Sequence, residues 1–335
     1  MREPEVSTLA ITERLKETHP ELNLFPKAVD YLTRFDHQET DGVTCWRSDS
    51  VERRSGSKIE GIGLFALKDI APGEIIAIKP GHVVGNQTIK ENAQIIRGSH
   101  QQIGKNQFLT GLTPEEVDKN LVGYNHSCDP NAKIAVFKHV PLAFLVTKKP
   151  IKEGEEITTD YSVSQSSNTQ RIFICNCGSP NCREIIQPGY DWMDEDFQQR
   201  HWQDFPFFIR EEIEDMRQMS ESELKAKKRL LYTLMSADVI SVLADEIERR
   251  QKELDRIVQE YPGNKQLARM VLRNLSRGDI RKFKDLLFKN ALIFIKLCPL
   301  ANIEGMGIDR NNPKTIKQHL PELIAFAKKI DWYFN

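Results

Sequence analysis

The sequence of 335 residues lacks any apolar run of the length that a membrane-spanning helix requires, which is about 18–20 residues. Its beginning, MREPEVSTLAITERLKETHP, also lacks the unbroken apolar core of a secretory signal. We therefore expect an intracellular protein, in the cytoplasm or the nucleus, that has no membrane partner.

A large net charge of either sign is also absent. The 47 Lys and Arg residues nearly balance the 48 Asp and Glu residues, and the net charge is −1. This balance excludes a protein whose whole surface attracts nucleic acid or anionic lipid. We expect no direct nucleic-acid binding. A hydrophobic content of 39% is typical of a globular chain with a substantial core.

Cysteine is scarce, with six residues in the chain, and the spacing of four of them is typical of a metal site. Cys175, Cys177 and Cys182 lie within a segment of eight residues that also contains a glycine and a proline. Tetrahedral Zn²⁺ takes four such ligands, and Cys128 is the candidate for the fourth, because Cys45 and Cys298 have no other Cys or His nearby. The alternative is that all of them are ordinary reduced thiols.

The pattern of apolar residues divides the chain into four segments. Residues 1–50 form a lead-in with two short helices, Ile11–Glu17 and Pro26–Phe35. Residues 58–163 contain short β-branched runs separated by Pro-Gly, Glu-Gly and Asp-Pro turns, which predict many short strands. Residues 170–186 carry the cysteine segment, and residues 190–335 form an α-helical domain. The predicted fold class is mixed α+β followed by all-α.

The helical domain has recognisable boundaries. Ser220 and Glu223 have the spacing of a capping box, and the helix after them runs towards Glu260 before Pro262-Gly263. Further helices are predicted at three places, from Asn264 to Gly278, from Asp279 to Leu297 and from Pro321 to Trp332. Aromatic residues between Trp192 and Phe208 are interpreted as core, with a docking patch as the alternative.

Three other features are weak when each is taken alone. Gly61-Ile62-Gly63 lets a backbone approach a ligand closely, but it lacks the third glycine, helix and acidic residue of a dinucleotide site. His126 by itself is typical of a core histidine. Tyr161, at the end of the predicted strand EEITTDY, is by itself typical of a packing residue.

Taken in order, these features resemble the SET-domain protein-lysine N-methyltransferases that carry a post-SET zinc segment. The resemblance rests on GIG at residue 61, NHSCDPN at residue 125, Asp160-Tyr161, and CNCGSPNC at residue 175. It implies several small β-sheets and a pseudoknot, S-adenosyl-L-methionine as cofactor, structural Zn²⁺, and a protein substrate presenting a lysine, with histones as one candidate.

The resemblance also implies a role for individual residues. Tyr161 is expected to be catalytic, and Thr159 is expected to line the substrate channel. The cofactor would be bound by six residues, and zinc would be held by the four cysteines. The implied cofactor-binding residues are Gly61, Ile62, Gly63, Asn125, His126 and Asn176, and the implied metal ligands are Cys128, Cys175, Cys177 and Cys182.

The sequence departs from the family pattern in the substrate channel. Thr159 stands where an aromatic residue is usual, which predicts a roomier pocket and di- or trimethylated product. The segment Ile78–His82 lacks the usual channel tyrosine, so that Lys79 or His82 would bring polar atoms there, and Val122-Gly123-Tyr124 replaces a common Arg-Phe pair. These changes leave open the alternative of a catalytically weak, SET-derived protein-binding module with a structural zinc.

Overall fold

A computed structural model of the chain describes residues 42–167, 169, 172–260, 280–298, 306, 308–309 and 312–329. The two helices predicted in the lead-in and the helix predicted from Asn264 to Gly278 lie outside these residues. The chain divides into two compact units, Met1–Arg217 and Gln218–Asn335. Among the described residues, no helix is both long and apolar enough to cross a membrane.

Short strands make up most of the first unit. They are β1 (Trp46–Arg47), β2 (Val51–Ser55), β3 (Ile62–Ala66), β4 (Ile75–Lys79), β5 (His82–Val84), β6 (Gln101–Gly104), β7 (Gln107–Thr110), β8 (Asn125–His126), β9 (Ala132–Val136), β10 (Ala143–Thr147), β11 (Glu156–Thr159), β12 (Phe173–Ile174) and β13 (Ile185–Ile186). They form four small sheets with the orders β1-β4-β10-β9, β2-β3-β11-β8, β5-β7-β6 and β12-β13. The predicted α+β class with several small sheets is confirmed.

The central strands of the first sheet are buried along their whole length. Both β4 and β10 consist of five buried residues, which explains why they read as continuous apolar runs rather than as alternating patterns. Ile75, Ile78, Phe144 and Val146 form the centre of this core. Fully burying one such side chain stabilises the fold by about 1.5–3 kcal/mol, so the first sheet contributes strongly to the stability of this unit.

The second sheet brings the motifs of the sequence together. Strand β11 pairs antiparallel with β3, which begins inside the Gly61–Gly63 segment, and parallel with β8, where Thr159 lies opposite His126. The predicted strand ending at Tyr161 is shorter than expected. It stops at Thr159, because the Asp160 side chain accepts a hydrogen bond from the backbone N–H of Ser162 and caps a 3₁₀ turn, Tyr161–Val163.

Helices of the first unit are short and lie between or after the strands. They are α1 (Asn86–Glu91), α2 (Ala93–Ile96), α3 (Pro114–Asn120), α4 (Glu195–His201) and α5 (Phe207–Gln218), and a second 3₁₀ turn covers Asp191–Met193. Thr113 and Glu116 form a capping box that begins α3. Of the aromatics interpreted as core, Trp192, Phe205 and Phe208 are buried, whereas Trp202 and Phe207 are half-buried.

The second unit is helical in its described residues. It contains α6 (Glu221–Glu260), α7 (Ile280–Leu297), α8 (Pro313–Gln318) and α9 (Leu320–Ala327), of which α7 and α9 pack against α6. The predicted capping box is present, because the backbone N–H of Ser220 donates to Glu223 Oε2 at 2.9 Å and Glu223 N–H donates to Ser220 Oγ at 3.4 Å. Cys298 is fully buried, as expected for a small core residue.

Candidate functional site

Four cysteine side chains from two separate segments of the chain converge at one end of the second sheet. The Sγ atoms of Cys128, Cys175, Cys177 and Cys182 all lie within 4.8 Å of one another. Four sulfurs at about 2.3 Å from a central Zn²⁺ would be about 3.8 Å apart in a tetrahedron. Cys128 and Cys175 are already 3.9 Å apart, so these four residues can hold a zinc ion with little movement.

The backbone around the cluster is arranged to receive negatively charged sulfur. Backbone N–H groups of Cys177, Arg183 and Glu184 donate to the Sγ atoms of Cys175, Cys128 and Cys182, each at 3.4 Å. The hydrogen bond from the Cys175 thiol lowers the pKa of the Cys128 thiol. Four thiolates this close would repel one another strongly unless a cation lay between them, so the donor set fits a divalent cation.

His126 connects the cysteine cluster to Tyr161. Its ring Nδ1 accepts the backbone N–H of Tyr161 at 3.2 Å, and its Nε2 lies 3.4 Å from Cys128 Sγ. Because Nδ1 is an acceptor, the ring proton belongs on Nε2, where it can donate to the sulfur. Both ring nitrogens are therefore used within the protein, and a ligand beside His126 would meet its backbone.

Tyr161 is held in an aromatic frame. Its ring contacts His126 and Phe173 edge-on, with centroids 5.4 and 5.8 Å away, and Tyr124 at 6.1 Å. Its hydroxyl donates to the carbonyl oxygen of Tyr124 at 3.0 Å. Burial raises the pKa of Tyr161, and Tyr124 and Glu156 add to this effect, so that the hydroxyl keeps its proton at neutral pH.

An ion-pair network that the sequence did not predict lies behind Tyr161. Arg183 Nη2 donates to Asp160 Oδ1 at 2.6 Å, and Arg183 Nη1 is 3.7 Å from Asp191 Oδ2. Asp191 also accepts from the Ser162 hydroxyl at 2.6 Å. The network joins the residues on both sides of Tyr161 to the segment that carries Cys182. Its only sequence signal was the position of Arg183 directly after a metal-ligand candidate.

Asn125 fastens the glycine segment to the rest of the site. Its Nδ2 lies 3.0 Å from the carbonyl oxygens of both Glu60 and Ile62, and 2.8 Å from Glu156 Oε1. Gly63 has no space for a side chain, since a Cβ there would lie 2.6 Å from Glu156 Oε1. Gly61 has a φ of +41° and open space around it. Exposed backbone at Gly61 and Ile62 is thus available to a ligand.

The remaining predicted residues differ in their surroundings. Asn176 is half-buried between two of the clustered cysteines, close to the other motifs. Thr159 is 1% exposed, and its Oγ1 has no hydrogen-bond partner among the described residues. His82 is an exposed residue paired with Glu116 at 3.3 Å, whereas Lys79 is buried. Of the two polar candidates for the channel, the structure therefore favours Lys79.

A cavity of about 50 Å³ lies beside Tyr161. Its walls are formed mainly by β6, the turn before it, and the segment that leads into β8. The lining residues are Lys79, Gly98, Ser99, His100, Gln101, Leu121, Val122, Gly123, Tyr124, Tyr161 and Ser164. Thr159 is not among these lining residues, so its role in the channel stays a prediction.

The pattern that defines the SET domain matches residues 61–162, and these residues form a SET domain. The resemblance drawn from the sequence motifs is confirmed for this part of the chain. The match begins at Gly61 and ends one residue after Tyr161, so it encloses the glycine segment, Asn125 and His126, while the cysteine segment at 175–182 lies beyond it.

Several curated relatives are histone methyltransferases by name. Histone-lysine N-methyltransferase 2D of Homo sapiens is 28% identical over 166 residues, which are 46% of this chain and 3% of that protein. The probable histone-lysine N-methyltransferase set-23 of Caenorhabditis briggsae is 29% identical over 138 residues, 38% of this chain and 56% of that protein. The H3 lysine-4 specific histone-lysine N-methyltransferase of Mycosarcoma maydis is 32% identical over 143 residues, 39% and 9% respectively. The chain thus spans about half the length of these relatives or much less.

Proposed function

We propose, on the premise that residues 61–162 form a SET domain, that this protein transfers methyl groups from S-adenosyl-L-methionine to the ε-amine of a lysine in a protein substrate. The observation that carries the proposal is the position of Tyr161, whose backbone N–H binds His126. His126 in turn contacts Cys128, and its neighbour Asn125 binds the backbone of the Gly61–Gly63 segment. The names of the relatives make histones the first substrates to test.

The cofactor would lie along the exposed backbone of Gly61 and Ile62. The space that the missing side chain of Gly63 leaves (the glycine cradle) and the backbone of Asn125 and His126 would form the adjoining wall of the cofactor pocket. Asn176 would close over the cofactor. The residues present fit such a ligand, because main-chain atoms can approach it where glycine leaves no side chain in the way. When bound, S-adenosylmethionine supplies an electrophilic methyl group on a cationic sulfonium.

A structural zinc ion held by Cys128, Cys175, Cys177 and Cys182 would fix the wall that carries Asn176. The N–H groups that point at the sulfurs and the 3.9 Å separation of two of them support this assignment. Because Cys128 and Cys175 come from segments 47 residues apart, the ion would fasten the end of the SET domain to the segment that follows.

Tyr161 would position the amine. Its hydroxyl keeps its proton at neutral pH, since burial raises its pKa, and donates it to the Tyr124 carbonyl oxygen. The hydroxyl oxygen is therefore left to accept an N–H of the amine, and it does not act as a phenolate base. The edge-on rings of His126 and Phe173 and the bond from its own backbone N–H fix its direction. Alignment within a fixed frame is the contribution such a residue makes to a displacement reaction.

The alternative is a protein-binding module with weak or no catalysis. The polar, lysine-containing wall of the cavity beside Tyr161 favours it, because lysine channels in the resembling family are largely apolar. Isothermal calorimetry with S-adenosylmethionine, followed by a transfer assay on histones and whole-cell protein, separates the two. Binding with transfer supports the enzyme; binding without any transfer supports the module.

A further inference from the structure

Lys79 is a buried amine for which the reaction outlined above has no use. It ends the central strand β4 and is 4% exposed. Its Nζ donates to the carbonyl oxygen of Asn120 at 2.9 Å and to Asn120 Oδ1. Asn120 is itself fixed, since its Nδ2 donates to the carbonyl oxygens of Val43 at 2.9 Å and Pro80 at 2.6 Å.

The contacts of Lys79 leave one position on its nitrogen, for a lone pair or a third N–H, and provide no counter-charge. A neutral amine has two N–H donors, both of which Asn120 accepts, and its lone pair remains available. An ammonium ion has a third donor, for which the described residues provide no acceptor, and no carboxylate of the described residues forms an ion pair with it. A buried, unpaired charge is costly, so the neutral form is favoured.

The charged and titratable groups around Lys79 agree with this. Burial is the main cause that lowers the pKa of Lys79 to about 7; Cys45 acts against this lowering, and the nearby guanidinium of Arg47 on β1 adds to it. Burial also raises the pKa of Cys45, so this neighbour is a neutral thiol near pH 7 and supplies no counter-charge. The other neighbouring strand, β10, has the sequence AFLVT and brings no ionisable side chain.

Lys79 shares the cavity beside Tyr161 with other polar side chains. A volume of about 50 Å³ holds roughly three water molecules, at about 15 Å³ each. The Ser99 hydroxyl, which is buried and has no hydrogen-bond partner among the described residues, can bind such water, whereas the Tyr124 hydroxyl already donates to Gln101 Oε1 at 3.1 Å.

Other titratable groups in the cavity wall keep one protonation state near neutral pH. Burial lowers the pKa of His100 to about 4, which leaves a neutral imidazole, and burial raises the pKa of both Tyr124 and Tyr161, which leaves protonated phenols. Among the described residues that line this cavity, Lys79 is therefore the group that changes its charge close to pH 7.

We propose that Lys79 is the proton acceptor that converts the incoming lysine ammonium into the amine needed for methyl transfer, through water in the cavity beside Tyr161. This inference rests on the proposed function. One N–H bond of the substrate ammonium breaks and its electron pair stays on the substrate nitrogen. The proton passes through water to the lone pair of Lys79 Nζ, where a new N–H bond forms, and it leaves to solvent after turnover.

The reaction requires a proton acceptor, because only the neutral amine of the substrate lysine can attack the methyl group. A lysine side chain has a reference pKa of about 10.4, so its neutral form costs roughly 4–5 kcal/mol at pH 7. A positioned base typically contributes about 10²–10⁴-fold to a rate. Since Lys79 acts only when it is neutral, activity should rise with pH through about 7 and level off above it.

The first test uses the unmodified protein. The pH profile of kcat/KM is measured with a histone peptide and with the same peptide carrying thialysine, whose amine has a lower pKa. An acidic limb near pH 7 at the same position for both peptides supports Lys79, because the limb belongs to the protein. A limb that moves with the substrate amine overturns the inference.

Substitutions of Lys79 then test whether the acidic limb of the pH profile belongs to this residue. Lys79→Met should lower kcat/KM about 100-fold at pH 7 and recover as the pH approaches the pKa of free lysine. Lys79→Arg keeps the positive charge but cannot act as a base, so it should be equally defective. Calorimetry must show unchanged cofactor affinity in both. Wild-type-like profiles in both variants overturn the inference, while absence of transfer by the unmodified protein at every pH refutes the proposed function instead.

Discussion

Arg183 Nη2 lies 2.6 Å from Asp160 Oδ1, and this contact joins the residue after Cys182 to the residue before Tyr161. Asp160 is 2% exposed, whereas the Arg183 side chain is 24% exposed and stacks on Phe197 with its guanidinium carbon 4.9 Å from the ring centroid. This ion pair connects the cysteine segment to the residue next to Tyr161 without the help of a metal ion.

Removing Arg183 should therefore destabilise the site. Arg183→Ala leaves the Asp160 carboxylate buried without its partner, which costs about 3 kcal/mol for a pair of this kind. Urea unfolding measures the loss. The matched control is Arg54→Ala, because Arg54 forms an exposed pair with Glu52 at 3.0 Å, and such pairs contribute about 0–1 kcal/mol. Equal losses of unfolding free energy in the two variants would show that the Arg183 pair contributes no more to stability than an exposed ion pair.

Zinc content tests the cysteine cluster. The purified protein should contain one zinc ion per chain by plasma mass spectrometry, and Cys182→Ala should reduce this strongly because three thiolates hold the ion less tightly than four. Cys298→Ala is the matched control, since Cys298 is a buried cysteine of the second unit. Equal zinc content in all three proteins would contradict the assignment.

Removal of the metal should also remove the cofactor. A chelator strong enough to strip zinc should abolish S-adenosylmethionine binding in calorimetry, because the segment that carries Asn176 is held by Cys175 and Cys177 on either side. Readdition of zinc should restore it. Unchanged cofactor affinity in protein shown to be free of zinc would mean that the ion and the cofactor pocket are independent.

The glycine cradle can be filled with a single methyl group. Gly63→Ala should weaken cofactor binding by about tenfold or more, because its Cβ would displace the Glu156 carboxylate that Asn125 and Ser57 hold. Gly85→Ala is the matched control, since the nearest atom to its Cβ is Asn106 Nδ2 at an ordinary 3.5 Å. If both variants bind the cofactor equally well, the cradle is not a cofactor contact.

The degree of methylation tests the role of Thr159. If threonine in place of an aromatic residue enlarges the amine pocket, mass spectrometry of the product formed with cofactor in excess should show di- or trimethyl-lysine. Thr159→Phe should shift the product towards monomethyl-lysine, at a stability cost of about 1–3 kcal/mol because Thr159 is only 1% exposed. Strictly monomethylated product from the unmodified protein would count against a roomier pocket.

Sequence patterns predicted the cysteine cluster of the site better than the ion pair and the strand end that surround Tyr161. The cluster of Cys128 with Cys175, Cys177 and Cys182 was predictable, because turn residues and ligand spacing are local properties. The Arg183–Asp160 pair was not, since ion pairs between distant segments leave no periodic signal. The extent of the strand before Tyr161 was also missed, because a single side-chain cap at Asp160 decides it. Helices such as α3 in the strand-rich segment were overlooked for a similar reason, as they are only a turn or two long.

The substrate channel was the least predictable part. The sequence identified Lys79 and His82 as equivalent polar candidates, three residues apart. Only the paired strands show that Lys79 ends a fully buried strand and bonds to Asn120, while His82 faces outward at the start of β5. Burial of a charged side chain depends on tertiary packing, which local sequence patterns do not encode.

Tyr161→Phe isolates the hydroxyl that the account places at the reacting amine. It should lower kcat by roughly 100-fold, since loss of alignment is costly, while S-adenosylmethionine affinity changes little. Tyr232→Phe, in α6 of the second unit, is the control and should behave like the unmodified protein. Equal kcat for both variants would remove Tyr161 from the catalytic role.

The central claim is tested most directly by incubating the protein with S-adenosylmethionine labelled in its methyl group and a panel of histones and whole-cell proteins, followed by amino-acid analysis of the labelled product. The account predicts label recovered as N-methylated lysine, and its loss with Tyr161→Phe. Label on another amino acid, or no transfer from a protein that binds the cofactor and contains zinc, would contradict it.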